Sequence, residues 1–169
     1  AFGGPRTTPW AGPYGSISQD GAKLVYNGTT YQGYYTLTEP DGSVINFTPG
    51  LTNAKVKDWT FPDGTRWDFT YTGIVLESVF SNRGYAMLFD GPTTVCVVNR
   101  AETYVTATSP CPVGAQSVTY TYQTATMNTP TKFLMSATKA GETTNYSYSA
   151  FDHLICIKDP GQTQCRISN

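Results

Sequence analysis

Pro40-Asp41-Gly42-Ser43-Val44-Ile45-Asn46-Phe47-Thr48 returns 22 residues later as Pro62-Asp63-Gly64-Thr65-Arg66-Trp67-Asp68-Phe69-Thr70. Each stretch opens on Asp-Gly, a tight-turn dipeptide, because glycine accepts a positive φ without steric cost. The residues after the turn alternate with a period of two. In the second copy Trp67, Phe69 and Tyr71 fall on one face, and Arg66, Asp68 and Thr70 on the other. That is the pattern of a half-buried β-strand.

The pattern extends in both directions. Gly21, Gly42, Gly64 and Gly84 lie 21, 22 and 20 residues apart, each with an aromatic five places on: Tyr26, Phe47, Phe69 and Phe89. Gly141 with Tyr146 repeats the motif, and Gly161 comes next without its aromatic. A second glycine closes each strand (Gly28, Gly50, Gly73, Gly91), and a shorter apolar segment such as Leu76 and Val79 runs back. A fixed period near 20 marks an array of structural units. A single hairpin is marginal in water, so the units must stack. The prediction is an all-β fold, an antiparallel sheet of turn-strand-turn-strand repeats whose glycines make the turns and whose aromatics form the core. Strands are expected near 23–27, 44–48, 66–71, 85–89, 95–99, 117–123, 145–149 and 154–158. Residues 131–140, around Phe133 and Leu134, have some helical character, but the spacing from Leu134 to Gly141 argues for a strand.

The spacing Gly-x4-Tyr/Phe-x-Tyr, then a Leu, then the next Gly resembles the YD-repeat (RHS-repeat) family. The clearest copies run Gly64…Phe69-Thr70-Tyr71…Leu76…Gly84 and Gly141…Tyr146-Ser147-Tyr148…Leu154…Gly161. A third, Val118-Thr119-Tyr120-Thr121-Tyr122…Leu134…Gly141, has its first glycine displaced to Gly114. The likeness covers roughly residues 20–166, with Tyr-Thr or Tyr-Ser in place of the Tyr-Asp pair. The resemblance implies a secreted or surface-exposed chain whose repeats wind into a β-sheet strip or shell. Such proteins act as scaffolds, in adhesion or carbohydrate contact, or enclose a toxic domain, for which 169 residues are too few.

The length suggests one repeat domain over 19–169, preceded by a Gly/Pro/aromatic arm over 1–18. The arm carries Phe2, Trp10 and Tyr14, too apolar for a plain linker. It is read either as folding over its own sheet edge or as docking on another copy. Charged residues make up 14% of the chain, below the usual ~25%. A net charge of −1 with scattered basic residues disfavours nucleic acid as a partner. No apolar run approaches the length of a membrane span. A start at Ala1-Phe2 suggests a processed chain or a fragment. The four cysteines suggest an extracellular or cell-surface protein with two local disulfides, Cys96–Cys111 and Cys156–Cys165, because no C-x2-C knuckle favours a metal site.

Chemical motifs are sparse. His153 comes directly after Asp152, but neighbours on a strand face opposite ways, and no Gly-x-Ser-x-Gly elbow supplies a nucleophile. Asp20, Asp41 and Asp63 have a turn role, and Arg66 with Asp68 reads as a surface pair. Glu39, Asp58, Glu77 and Glu102 have no partner that the sequence identifies. No catalytic residue, metal site or cofactor is expected. The 12 Tyr, 8 Phe and 3 Trp exceed what a core of this size needs. Tyr31, Tyr34, Tyr35, Trp59, Tyr104 and Tyr122 could stack on sugar rings or form a protein interface. The leading expectation is a non-catalytic extracellular structural protein that associates with copies of itself, even into fibres, or joins a larger surface assembly. The alternative is a carbohydrate-binding or adhesion module.

Overall fold

The computed structural model describes residues 16–17, 21–28, 33–49, 54–124 and 132–168, and these form an all-β protein with no helix among them. The arm residues Phe2, Trp10 and Tyr14 lie outside the described residues. The chain divides into two compact units, Ala1–Tyr85 and Ala86–Asn169.

The first unit holds β1 (Ser16–Ile17), β2 (Lys23–Asn27), β3 (Tyr34–Thr38), β4 (Val44–Phe47), β5 (Val56–Thr60), β6 (Arg66–Thr72) and β7 (Val75–Ser81). Each strand pairs antiparallel with its sequence neighbour, so the unit is a meander. Register sorts the side chains into two faces. One row runs Leu24, Leu37, Ile45, Trp59, Trp67 across β2–β6; a neighbouring row holds Thr36, Asn46, Asp58 and Asp68. The apolar row feeds the core of Ala22, Leu37 and Ile45, against which Leu24, Phe47, Val56 and Trp59 pack.

The second unit opens within β8 (Tyr85–Asp90), at Ala86. It continues through β9 (Thr94–Asn99), β10 (Gln116–Thr124), β11 (Lys132–Lys139), β12 (Glu142–Tyr148), β13 (Leu154–Lys158) and β14 (Ile167–Ser168). Its strands are also arranged in sequence order. Ala86, Leu88, Cys96, Val98 and Val105 are its buried apolar residues.

Every predicted strand region contains a strand, and 132–139 is the strand β11 rather than a helix. β3 and β5 are return strands of the turn-strand-turn-strand pattern, between Gly28 and Gly42 and between Gly50 and Gly64, although the expected strand positions did not include them. Their sequences, Tyr-Tyr-Thr-Leu-Thr and Val-Lys-Asp-Trp-Thr, carry no glycine-to-aromatic spacing and become strands by pairing with β4 and β6.

The turns give the repeat its geometry. Between β3 and β4, Glu39 N donates to Ser43 O (2.8 Å) and Gly42 N to Glu39 O (3.0 Å), with Gly42 at φ 90°. Between β5 and β6, Phe61 N donates to Thr65 O (2.8 Å) and Gly64 N to Phe61 O (2.9 Å), with Gly64 at φ 78°. This is the pattern of a type I turn closed by one left-handed residue, and Pro40 and Pro62 sit where a fixed φ is wanted. Between β12 and β13 the same two bonds recur, Ser149 N to His153 O and Asp152 N to Ser149 O. There Asp152, at φ 63°, occupies the glycine position. The strand assumed around Asp152 and His153 is therefore a turn. No glycine marks it in the sequence.

Both disulfides form as local loops: Cys96–Cys111 spans 15 residues and Cys156–Cys165 spans 9. A closed loop of that larger size contributes about 3 kcal/mol by restricting the unfolded chain. Cys96 is buried on β9, and the bridge ties down the 100–115 connection that carries Val105. Cys111 N also donates to Asp90 Oδ2 at 3.2 Å.

Candidate functional site

Three aromatic rings meet at the β5–β6 hairpin. Trp59 and Trp67 are direct cross-strand partners, and Phe61 lies two residues beyond Trp59 on the same face. Period-two alternation and hairpin register therefore suffice to bring them together. Trp59 and Phe61 stack with centroids 4.9 Å apart and an interplanar angle of 19°. Trp67 meets both edge-on, 4.9 Å from Phe61 and 5.9 Å from Trp59. Such pairs contribute about 0.5–1.5 kcal/mol beyond their buried area. Trp59 is half-buried, with its indole N–H enclosed and without a hydrogen-bond partner among the described residues, whereas Trp67 is 38% exposed. Phe61, Pro62, Asp63, Thr65 and Trp67 line an open recess of about 460 Å³.

The rim of this recess is fixed by polar bonds. Asp63 Oδ1 accepts from Thr65 N and Asp63 Oδ2 from Thr65 Oγ1, each at 2.8 Å. These two bonds, with the Arg83 guanidinium beyond them, hold the Asp63 carboxyl below its ordinary pKa. Arg83 reaches over the hairpin, donating from Nη2 to Asp63 O (3.1 Å) and from Nε to Thr65 Oγ1 (3.2 Å). Its Nη2 also lies 3.7 Å from Asp63 Oδ2. Asn82 completes the clamp, with Nδ2 donating to Gly64 O at 2.9 Å and Oδ1 accepting from Arg66 N at 3.0 Å. The sequence singled out Trp59 as a less constrained aromatic and read Asp63 as a turn residue. Phe61 could have been found from its two-residue offset to Trp59. Nothing in the sequence pointed to Arg83 or Asn82.

Asp58, Asp68 and Glu102 have structural roles. Asp58 is 5% exposed, accepts from Asn46 Nδ2 at 2.8 Å and lies 3.7 Å from Arg66 Nη2. It ends a ladder in which Asn27 Nδ2 donates to Thr36 Oγ1 (2.9 Å) and Thr36 Oγ1 to Asn46 Oδ1 (2.8 Å). Arg66 bonds Asp68 at 2.5 Å, the pair read from the sequence, and this bond raises the Arg66 pKa. Glu102 Oε1 accepts from Asn99 Nδ2 at 3.0 Å. Among the described residues, no three His, Cys, Asp or Glu side chains gather closely enough to hold a metal ion. His153 is exposed, and its backbone N donates to Ser149 Oγ.

The repeat residues hold regular positions. Gly21, Gly42, Gly64, Gly84 and Gly141 all have positive φ. Tyr26 is buried, whereas Phe47, Phe69, Phe89 and Tyr146 are half-buried. In the second unit a smaller recess, of about 240 Å³, is lined by Phe133, Met135, Tyr148, Gln123 and Asp152 among others. Phe133 and Tyr148 pack there at 4.8 Å, and Tyr148 donates its hydroxyl to Leu134 O.

No known family model matches the chain, and no curated protein matches it closely enough to count as a relative.

Proposed function

We propose that this chain is a non-catalytic extracellular structural module, a strip of β-repeats that associates with copies of itself or with a larger surface scaffold. The supporting observation is the recurrence of one turn geometry at 39–43, 61–65 and 149–153 between strands that pair in sequence order within each unit. Such a meander grows by adding hairpins along one direction, and each added hairpin buries part of its neighbour's face. Two disulfides suit an oxidising compartment. Asp58, Asp63, Arg66 and Arg83 are engaged in turns, ladders and ion pairs, as the charged groups of a scaffold would be. The resemblance to YD-repeat chains points the same way.

Sedimentation velocity over a concentration series, paired with negative-stain imaging, tests the proposal. Association that grows with concentration, with extended particles, is the expected outcome. A chain that remains a discrete monomer at the highest concentration would remove self-association and leave a binding module.

A further inference from the structure

We propose that the recess at the β5–β6 turn receives the proline-bearing arm of a second copy of this chain, with Phe61, Pro62 and Trp67 packing on its prolines and Asp63 pairing with the incoming Arg6. The proposal rests on the self-association reading above and names the surface that takes the arm.

The shape suits a compact, non-planar ring. Phe61 and Trp67 lie 4.9 Å apart with their planes at 69°, so they make an angled notch and not a flat platform. Pro62 adds a third apolar wall. Trp67 stays 38% exposed there although Trp59 and Phe61 both pack on it. Exposed apolar surface of this kind marks a place where another chain docks. Aromatic-lined grooves hold proline-rich segments in this way, because a fixed φ leaves proline less freedom to lose on docking.

The arm has the matching chemistry. Residues 1–15 carry Pro5, Pro9 and Pro13, one cation in Arg6 and no carboxylate. The lining of the recess has the opposite character, with Asp63 as its one ionisable side chain. Two bonds from Thr65 hold that carboxylate at the rim, where 67% of the side chain meets solvent. An exposed ion pair adds little affinity, and Arg83 already lies 3.7 Å from Asp63. The Arg6 contact therefore sets the register of the arm, while the prolines supply the contact area.

Strand register says which copy supplies the arm. Ser16 pairs with Leu24 and Ile17 with Lys23, so the residues before Ser16 leave β1 towards the Asn27 end of β2. Lys23, Thr38, Val44, Thr60 and Arg66 form one row across β2–β6, which puts the 61–65 turn beyond the opposite, Lys23 end. The chain at Ser16 thus heads away from the recess. An arm of the same chain would have to reverse and cross from β1 to β5, about 19 Å at the usual strand spacing. An arm from a second copy meets no such constraint.

Isothermal titration of a synthetic peptide of residues 1–15 into the dilute full chain tests the recess directly, and saturable binding is expected. Trp67→Ala should weaken it about fivefold or more, the usual effect of truncating an aromatic anchor. Phe61→Ala should weaken it too, and Trp67→Phe should retain most of it. Tyr104→Ala, at a 91% exposed tyrosine in the second unit, should leave it unchanged. Far-UV circular dichroism accompanies each variant. If Trp67→Ala unfolds, a peptide with Pro5→Ala, Pro9→Ala and Pro13→Ala decides the matter without touching the protein, and it should bind more weakly than the native peptide. No binding of the native peptide overturns the proposal, as does binding that Trp67→Ala and Phe61→Ala leave unchanged. Sedimentation velocity separates this failure from failure of the self-association reading. If the Trp67→Ala chain folds and associates as well as the native one, the scaffold reading stands and the recess is not the contact. If the native chain binds the peptide at the recess yet stays monomeric at high concentration, the self-association reading fails and the second-copy assignment fails with it, the occupant being the chain's own arm.

Discussion

Tyr26 shows how much one hydroxyl can fix. Its phenol accepts the backbone N–H of Gly33 at 2.8 Å, and Gly33 itself is buried. A Cβ at Gly33 would sit 2.6 Å from the carbonyl oxygen of Asn27 and against the Tyr26 ring, so only glycine allows this approach. Tyr26→Phe should therefore leave a buried donor unpaired and cost about 1–3 kcal/mol in urea unfolding. The opposite sign is expected at Ala140. It joins Gly141 in the two-residue turn between Lys139 and Glu142 and has φ 52°, a region that costs side chains with a Cβ about 1–2 kcal/mol. Ala140→Gly should raise the unfolding midpoint by an amount equivalent to roughly 0.5–1 kcal/mol, once the greater freedom of unfolded glycine is subtracted. A fall in stability would mean that the turn does not hold this conformation in solution.

At the scale of the element, the β5–β6 hairpin is held by its turn as well as by its register. The hydrogen bonds from Thr65 depress the Asp63 pKa below its ordinary value of 3.8. A carboxylate with a lowered folded pKa contributes stability that is fully present above the unfolded value, and that contribution disappears as pH falls through the folded one. Acid unfolding of Asp63→Asn should thus show a shallower loss of stability below about pH 4 than the native chain. An unchanged acid limb would show that the turn carboxylate is not linked to folding. The ladder from Asn27 to Asp58 is the second device of this unit. It joins four adjacent strands through side chains on a single face, which pins their register wherever the apolar face alone would tolerate a slip.

At the scale of the whole molecule, the described cores are thin. In the first unit Ala22, Leu37 and Ile45 are buried in a cluster whose surrounding apolar residues are only partly covered. A meander with so little enclosed surface gains from disulfides and from association. Deleting residues 1–18 is expected to leave the circular dichroism of a β-protein intact while abolishing concentration-dependent association in the ultracentrifuge. Association that survives the deletion would place the contact on the sheet itself and clear the arm of that role.

The sequence by itself determined the all-β class, the two local disulfides and the turns at Gly42 and Gly64. These depend on covalent preferences and short-range spacing, which act whatever the rest of the chain does. It also placed Arg66 beside Asp68, because a separation of two on a strand fixes a shared face. Tertiary structure alone decided the rest. β3 and β5 run into the Pro-Asp-Gly turns but carry no glycine-to-aromatic spacing of their own, so their bounds and register come from the strands they pair with. Asp152 takes a left-handed conformation that its residue type only tolerates, because β12 and β13 must meet there. Asn46 and Asp58, or Arg83 and Thr65, come together only through cross-strand register and loop placement. Those contacts join residues 12 and 18 positions apart. No local pattern encodes such a separation, since it is set by how the strands pair and not by what any one of them prefers.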